Sequence, residues 1–597
     1  VVVSFVIFIW TLDINQYKPE LEQMVSTQTG RDFRISGDMQ ITPSLSPIIS
    51  VNGISLSNAD WSNQDQMLTA ERVEARISLL PLLSGTIHIN TFILHDTLLQ
   101  LEKNTDGSGN WELETLTAVQ DGTAPPVSPE PEVSRPLPPI NIDEIDIRNV
   151  RIVYQDRQAG TSNEFNISEI STSVTGLDTP MNIRIVASYD QIPLIISGTV
   201  GPLATLLADE TYSLDLDGSL DRLGFSLSGS ITNPMQARGA DFDFSLDLDS
   251  LADLNDIAEA ELPDIGPFTA GGNIEFDTPD RVSISNFTSQ LDESDLAGTF
   301  NAQLDGDTPL LTARLSSALI DLSGFASEEE AQERPEFLFP REELPLAGLS
   351  AVNADVSLTV VSLKLPSIDL DNADLALTLQ DGNLQTSASS GIAGGSVSAV
   401  IELQNNNGIA NLITNINGTE IMLEQLPHEQ ETWFTGGPVE LQIDGNGQGQ
   451  SIAGIMGSFN GKFLVQVGQA TMPNRSIDMV GADLLLSVFN RFNPFADQEE
   501  ISVLECAVIN LDIRDGLITV DRQIAMQTAK MNMVGSGEIN LITEQLSLGM
   551  KPYAREGVGL NLNAISGVAR IGGTLANPKP EIDPKGTLAA GASAGAA

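Results

Sequence analysis

The sequence predicts an elongated, mostly antiparallel β protein that has one apolar face and a membrane attachment at its amino terminus. Three observations support this prediction. Short segments of alternating apolar and polar residues recur along the 597 residues, Gly, Pro, Asn and Asp separate these segments, and the opening residues are almost all apolar. Side chains alternate between the two faces of a strand, so period-two alternation indicates strands with one dry and one wet face.

The opening segment, residues 1–12 (VVVSFVIFIWTL), carries no charge. A bilayer crossing needs roughly 20 apolar residues, so this segment alone is too short to span one. It lacks a small-residue cleavage pattern near Trp10 to Asp13, which argues against a signal peptide. We interpret it as the end of a transmembrane anchor, with a signal-peptide core or a buried strand as alternatives. The anchor residues are Val1, Val2, Val3, Phe5, Val6, Ile7, Phe8, Ile9 and Trp10.

A short helix is predicted next, between Asn15 and Gly30. Asn15 is a candidate cap, Pro19 is tolerated in a first turn and Gly30 can end the helix. One helix face would carry Leu21, Met24 and Val25. Strands follow at residues 33–41, 48–56, 73–79, 87–94 and 98–102.

Two stretches rich in proline and acid interrupt the strand pattern. Residues 119–139 cannot form a central strand, because proline has no N–H to donate, and residues 328–345 break the pattern again. The predicted organisation is an anchor end at 1–12, an amino-terminal module at 13–118, a linker at 119–139, a middle β region at 140–327, an acidic loop at 328–345, a carboxy-terminal domain at 346–584 and a disordered tail at 585–597.

The clearest alternation is DFDFSLDLD, from Asp241 to Asp249. Such a strand places a dry stripe on one face and a ladder of carboxylates on the other. A second example precedes the turn Asp381-Gly382, a dipeptide typical of tight hairpins. The candidate residues of the apolar face are Phe242, Phe244, Leu246, Leu248, Leu375, Leu377 and Leu379.

Two further features lie near the carboxy terminus. Residues 477–492 carry apolar side chains at helical spacing, which predicts a helix that packs on the sheet, a simpler role than gating. The single cysteine, Cys506, lies between Leu504 and Val508 in an apolar strand, so we expect its thiol to be buried and unreactive.

The charge excludes nucleic-acid binding. Eighty-one acidic and 29 basic residues give a formal net charge of -52, which repels phosphate backbones and anionic lipid headgroups alike. The same excess keeps a long β protein soluble and discourages edge pairing between copies. A salty habitat, where screening relieves self-repulsion, is the alternative explanation.

No catalytic or metal-binding constellation is expected. A G-x-S-x-G match at residues 591–595 lacks the strand and helix that its chemistry requires. The 3 histidines form no zinc-ligand cluster, and Asp215, Asp217 and Asp221 lack the spacing of a calcium loop. We therefore expect a protein that is not an enzyme and that needs no cofactor or metal.

Both ends of the chain resemble a known family. DINQYKPELEQMVSTQTGRDFRISGDMQIT, VNGISLSNADW and ERVEARISLLPLLSGTIHINTFILHDTLLQLEKNTDGSGNWEL are similar to the amino-terminal module of the AsmA family, envelope proteins of Gram-negative bacteria. LECAVINLDIRDGLITVDRQIAMQTAKMNMVGSGEINLITEQLSLGMKP and VARIGGTLANPKPEIDP resemble its carboxy-terminal domain. The middle of the chain matches only in its style of short alternating strands.

The resemblance implies a particular architecture. AsmA-like proteins are grouped with TamB-like and YhdP-like relatives in the bridge-like lipid transfer superfamily, which implies a taco-like groove in a curved antiparallel sheet. Alternation alone leaves open a choice between a closed sandwich and an open sheet. The resemblance favours the open groove, lined by the seven candidate residues.

Two functions follow from the resemblance as expectations. In the first, a single-pass inner-membrane protein with its bulk in the periplasm transports or shields glycerophospholipid on its way to the outer membrane. In the second, the protein is an assembly or regulatory factor that influences protein targeting to the outer membrane. The implied partners are phospholipid, the inner membrane through the amino terminus, and outer-membrane or envelope proteins.

Overall fold

The computed structural model describes residues 13–42, 44, 46–79, 87–105, 107–112, 140–157, 160–173, 178–258, 260–306, 308–323, 336–406, 408–426, 435–473, 501–529, 531–555 and 569–582. The chain is mainly β and divides into two compact units, the first ending at Pro279 and the second beginning at Asp280. The expected anchor end, the proline-rich linker, the helix at 477–492 and the tail lie outside the described residues. The domain ranges expected from composition stay predictions.

The first unit is an open sheet with a few short helices. Its helices are α1 (Lys18–Thr29), α2 (Leu203–Leu207) and α3 (Asn255–Ala258), with 3-10 turns at Ile14–Tyr17, Pro234–Gln236 and Leu251–Leu254. Its strands are β1 (Phe33–Ile35), β2 (Met39–Ile41), β3 (Ile48–Ser57), β4 (Gln66–Ser78), β5 (Ile87–Lys103), β6 (Ile140–Ile142), β7 (Glu144–Asp156), β8 (Thr161–Ser173), β9 (Met181–Tyr189), β10 (Ile192–Val200), β11 (Tyr212–Leu220), β12 (Leu223–Asn233), β13 (Arg238–Leu248) and β14 (Phe268–Thr278).

Strand pairing in the first unit is antiparallel except at one place. Strands β1 and β2 both pair with β3, and pairing then runs through β4, β5, β7 and each later strand in order to β14. Strand β5, however, is parallel to β6 and β7. A parallel neighbour must start at the same end of the sheet, so a long connection is required. The proline-rich stretch lies within that connection, and the sheet is mixed where a purely antiparallel one was expected.

A buried polar cluster fixes the ends of the two parallel strands. Glu102 at the end of β5 is 2% exposed, and its carboxylate accepts hydrogen bonds from Arg157 Nη2 (2.5 Å) and Asn58 Nδ2 (3.3 Å). Asn110, fully buried, donates from Nδ2 to Asn58 Oδ1 (2.9 Å) and accepts the Glu102 N–H (2.9 Å). The cluster therefore ties the β3–β4 turn, the end of β5 and the residue after β7 to one another.

A row of β-bulges crosses five neighbouring strands of the first unit. The pairing register skips one residue in each of β3, β4, β5, β7 and β8, and each skip shifts the alternation of faces by one residue. Leu94 and Thr97, for example, lie on the same face of β5 although they are three positions apart. Because neighbours shift together, each face stays continuous. The skipped residues are Gly53, Glu71, Asp96, Asn149 and Ser168.

The bulges explain why sequence reasoning divided β5 into two strands. Asp96 has φ 52° and Asn149 has φ 55°, and the Asn149 Nδ2 donates to Asp96 Oδ1 at 3.0 Å. Asn and Asp are among the few residues besides glycine that visit this left-handed region readily. A break in alternation at Asp96 was therefore a bulge within one continuous strand.

Helix α1 and the 3-10 turn before it seal the edge of the first sheet with polar side chains. Four residues at helical spacing bind the outward-facing backbone groups of β1, β2 and the turn between them, which an edge strand otherwise leaves open to another chain. The contacts, at 2.8–3.1 Å, join Asn15 to the N–H and C=O of Met39, Lys18 to the C=O of Gly37, Glu22 to the N–H of Ile35 and Ser26 to the N–H of Phe33.

The structure corrects one cap and confirms the end of the helix. Asn15 was expected as the cap, but the Asp13 carboxylate accepts the Asn15 N–H in the 3-10 turn, and the Asn15 side chain binds Met39 instead. Gly30 ends α1 in the left-handed conformation, as predicted.

The second unit is also an open sheet. Its helix is α4 (Ile452–Gly457), with 3-10 turns at Leu346–Ser350 and Leu423–Gln425. Its strands are β15 (Arg281–Leu291), β16 (Ser294–Gln303), β17 (Leu310–Asp321), β18 (Asn353–Leu365), β19 (Ile368–Gln380), β20 (Asn383–Ile392), β21 (Gly395–Asn406), β22 (Ile409–Met422), β23 (Thr435–Gly436), β24 (Pro438–Gly449), β25 (Asn460–Val467), β26 (Ala470–Pro473), β27 (Ile501–Ile513), β28 (Leu517–Thr528), β29 (Met531–Asn540), β30 (Gln545–Ala554), β31 (Ala569–Gly573) and β32 (Pro578–Ile582).

Pairing in the second unit again contains one parallel join. Strands β17 and β18 are parallel, and the other pairs are antiparallel. Strand β27 pairs with β25 along one part of its length and with β26 along the other. The acidic stretch at 328–345 lies in the connection that the parallel join requires.

Residues 336–352, which we call the strap, run along one end of the strands of the second unit. The strap meets Glu544 in the β29–β30 turn, Ala453 in α4, Gln450 after β24 and Asn405 near the end of β21. Fifteen residue steps separate Leu338 from Asn353, which at roughly 3.3 Å each reach about 50 Å. About nine strand spacings of roughly 4.8 Å need about 43 Å, so the strap is long enough to cross these strands although it contains the 3-10 turn at Leu346–Ser350.

Cys506 is exposed, which contradicts the expected burial. The register of β27 shifts between Leu504 and Cys506, which marks a β-bulge. A bulge adds one residue to the strand, so the residues beyond it lie on the opposite face from the one that strict alternation predicts. Leu504 is therefore buried, 4% exposed, while Cys506 faces outward. Alternation read without the bulge places the thiol on the wrong face.

We predict that Asp96→Val destabilises the first unit whereas Asp96→Gly does not. A β-branched residue held at a positive φ costs about 1–2 kcal/mol, and glycine adopts that conformation freely. Urea unfolding of both variants measures the difference. A glycine variant as unstable as the valine variant would show that the hydrogen bond with Asn149, and not the backbone conformation, is decisive.

We also predict that Glu22→Ala opens the sealed edge. The Ile35 N–H loses its acceptor, and an unsatisfied buried donor costs about 1–3 kcal/mol. Hydrogen exchange at residues 33–35 should accelerate, while Glu20→Ala, which changes an exposed acid on the same helix, should leave it unaltered. Equal exchange in the two variants would contradict the role of the helix as an edge seal.

Candidate functional site

Strand β13 places the first four candidate residues on one face. Phe242 and Leu248 are 7% and 3% exposed, and Phe244 and Leu246 are half-buried. Asp241, Asp243 and Asp247 lie on the opposite face and are exposed. The predicted separation of a dry stripe from a carboxylate ladder is thus present in the strand.

The dry stripe continues through the neighbouring strands of the first unit. Residues paired in register lie on the same face of a sheet, so the pairings define rows that cross the strands. The row through Leu246 runs across eleven strands and contains no charged residue: Val51, Val73, Leu94, Ile147, Ile170, Ile185, Ile196, Gly218, Phe225, Leu246 and Ala270.

A second row, through Phe244, lies beside it. Its members are Ile49, Ala75, Phe92, Ile145, Thr172, Ile183, Gly198, Leu216, Leu227, Phe244 and Gly272. These rows are the apolar face of the first unit. Most large side chains in them are half-buried, whereas the inner face of a packed sandwich would be buried throughout.

One glycine in these rows makes room for a ring. A Cβ on Gly218 would stand 2.4 Å from Cζ of Phe225, so the Phe225 ring lies over the backbone of its cross-strand neighbour. The ring therefore lies against the backbone of the sheet and does not project from the apolar face.

One end of strands β9, β10 and β11 carries a small buried cluster on the apolar face. Tyr212 packs with Met181 and Val200, and Leu203 and Leu206 of α2 cover this cluster. Burial raises the pKa of the Tyr212 hydroxyl. Helix α2 thus closes one end of the apolar face.

Strand β19 places the other three candidate residues on the apolar face of the second unit. Leu375 is 36% exposed, Leu377 is half-buried and Leu379 is 8% exposed. The row through Leu375 again crosses eleven strands: Phe287, Gly298, Leu315, Leu358, Leu375, Ala388, Ala399, Ile416, Ile443, Phe463 and Leu511. The two sets of candidates lie on different units.

The outer face is polar, and several of its cations are paired. Arg72 binds Glu74, with Nε donating to Oε1 at 2.8 Å, and Arg148 binds Asp146 at 2.8 Å. Burial alone would raise the pKa of Glu74, but hydrogen bonds from Arg72 and Ser50 outweigh it and hold the pKa below its ordinary value. The carboxylate is therefore charged at neutral pH, as an outer-face residue should be.

Alternation in the sequence identifies the apolar face on β13 and β19 and leaves the other strands of that face unassigned. The further residues alternate as clearly in β9 to β12, but only the register places them in rows with Leu246 and Leu375. Within the described residues, no group of histidine, cysteine or acidic side chains is arranged to hold a metal. The anchor residues lie outside the described ranges, and of the helices within those ranges none combines the length and hydropathy needed to cross a bilayer.

Comparison with known proteins gives one family. The model of the AsmA family matches residues 1–192 and 197–522. Over 654 aligned positions the chain is 23% identical to the AsmA family protein YhjG of Escherichia coli (strain K12), covering 100% of this chain and 92% of that protein. No solved structure matches significantly.

We predict that the same truncation costs more at Leu548 of β30, which is 8% exposed within a buried cluster, than at the half-buried Leu377 of β19. Leu377→Ala removes a half-buried side chain and should lower the free energy of unfolding by about 1 kcal/mol. Leu548→Ala opens a cavity beside buried neighbours and should cost about 2–5 kcal/mol. Denaturant unfolding of the two variants measures both. Equal costs would mean that Leu377 is covered in solution.

Proposed function

Because the chain belongs to the AsmA family, we propose that it acts in outer-membrane biogenesis by shielding or transporting glycerophospholipids along its apolar face. The observation that carries this proposal is the uncharged, half-buried row that crosses eleven strands of the first unit. An apolar surface of that length in contact with water is unfavourable at about 25 cal/mol per Å². An acyl chain that covers it removes this cost for both partners.

The proposed ligand contact is through the acyl chains. Each buried methylene contributes about 0.8 kcal/mol, so even partial cover of a chain offsets much of the cost of leaving a bilayer. The polar headgroup would stay in water at the open side of the sheet. A chain-based contact discriminates weakly between headgroups, which suits transport of bulk phospholipid.

We place the protein at the inner membrane with its bulk in the periplasm. The support is the apolar, uncharged segment at residues 1–12, together with the family. Transport toward the outer membrane is the direction that this placement favours.

We predict that photoreactive leucine analogues at Leu246 and Leu377 capture phospholipid in cells. The same analogue at Asp247 and Thr378, the next residue of each strand on the exposed face, should capture none. Mass spectrometry of the purified adducts measures the difference and identifies the lipid.

Equal labelling of both faces would contradict the proposal, because it would reflect general proximity to membrane. Absence of lipid at every apolar-face position, combined with a stable protein partner in the cross-linked material, would favour the assembly-factor function instead. The folded state of each substituted protein is checked by circular dichroism before cross-linking.

A further inference from the structure

The apolar face of the second unit changes character between β25 and β27. From β15 to β25 the large side chains in the row through Leu375 are half-buried or exposed. From β27 to β31 most of the large side chains on the same face are buried, and Ala507, Ile509, Met526 and Leu546 are partly buried against them. This filled core comprises Leu504, Leu511, Ile513, Ile518, Val520, Ile524, Met531, Met533, Ile539, Leu548, Met550 and Ile571 of these strands, with Phe459, Ala470 and Leu541 beside them.

The filled core leaves no room for an acyl chain. Leu511 and Leu548 are 6% and 8% exposed, and Met531 and Met533 are each 2% exposed. Protein interiors are packed as closely as organic crystals, so a ligand could enter only by displacing these side chains. The core is therefore a barrier across the face.

A buried carboxylate, Glu544, binds the strap at the barrier. Glu544 is 1% exposed; its Oε2 accepts the Leu338 N–H at 2.5 Å and its Oε1 accepts the Phe339 N–H at 3.0 Å. The Phe339 side chain packs against the filled core. Two backbone N–H groups from adjacent strap residues thus converge on one side chain.

The strap then follows the strand ends back along the open part of the face. Leu344 and Leu346 pack near Leu403 and Leu412, which belong to the apolar face on β21 and β22. Displacing the strap at Glu544 would therefore loosen the barrier and the adjoining end of the open face together.

We propose that lipid occupies the second unit's face only from β15 to β25, and that Glu544 is the positioning residue that fixes this limit by holding the strap against the filled core. The proposal rests on the proposed function. It implies that lipid enters or leaves the second unit on the amino-terminal side of the barrier or across its open side, and not over β27 to β31.

Photoreactive leucine at three positions in the full chain tests the limit. Leu377 lies on the open part, and Leu511 and Leu548 lie in the filled core, so the same analogue replaces the same residue type at each. We expect lipid capture at Leu511 and Leu548 to be at least about tenfold weaker than at Leu377, because a close-packed interior admits no ligand. Comparable capture at all three positions would overturn the limit and leave the proposed function standing.

No capture at Leu377 or at Leu246 would instead count against the proposed function itself. Failure of the two proposals is thus distinguishable in one experiment. Mass spectrometry of the adducts provides the readout, and the wild-type strap is intact in every sample.

Glu544→Ala tests the positioning role. We expect faster hydrogen exchange at residues 338–339 and new lipid capture at Leu548, with capture at Leu377 retained. Asp512→Ala, which removes an exposed acid from β27 of the same sheet, should change neither. Glu544→Gln keeps one acceptor oxygen and should give an intermediate result.

If Glu544→Ala does not fold, Phe339→Ser provides the same comparison by removing the strap side chain from the core. A strap that exchanges faster without any capture at Leu548 would show that Glu544 does not set the limit. A protein in which neither exchange nor capture changes would contradict the role of Glu544 as well.

Discussion

The register between neighbouring strands is the constraint on which the rest of this structure depends. Side chains alternate strictly along a strand, so a slip of one residue in β13 would exchange Phe244 for Asp243 on the dry face. The rows that cross eleven strands exist only because each register matches the next. The stacked bulges follow the same rule: Asp96 and Asn149 are skipped together, so both strands change parity at the same level and the apolar face is not interrupted.

An open apolar face also requires other parts of the molecule to supply stability. In the second unit the filled core at β27 to β31 supplies buried surface, while β15 to β25 remain half-buried. In the first unit the Glu102 cluster fixes the parallel join, and α1 satisfies the edge strand that a partner chain could otherwise extend. These stabilising contacts lie at the ends and edges of each sheet. They therefore leave the rest of the apolar face accessible.

Much of the fold followed from local patterns. Alternation identified β13 and β19, and the turn at Asp381-Gly382 has φ 51° and 80°, as the tight hairpin turn requires. The family resemblance was carried by residues at both ends and is confirmed. What local patterns missed depends on distant partners. Glu544 and Phe339 are separated by 205 positions, and neither parallel join nor the exposure of Cys506 can be deduced without knowing which strands pair.

The charges of the outer face bear on how a lipid would be recognised. Arg72, Arg148 and Arg151 are each paired with a neighbouring carboxylate, so these guanidinium groups are already neutralised. A phosphate group that approached them would have to displace an acid, against a net charge of -52. Under the proposed function, attraction between lipid and protein would therefore come from the acyl chain on the apolar face. Selectivity, where it exists, would be set by what bounds that face, namely α2 in the first unit and the strap with its filled core in the second.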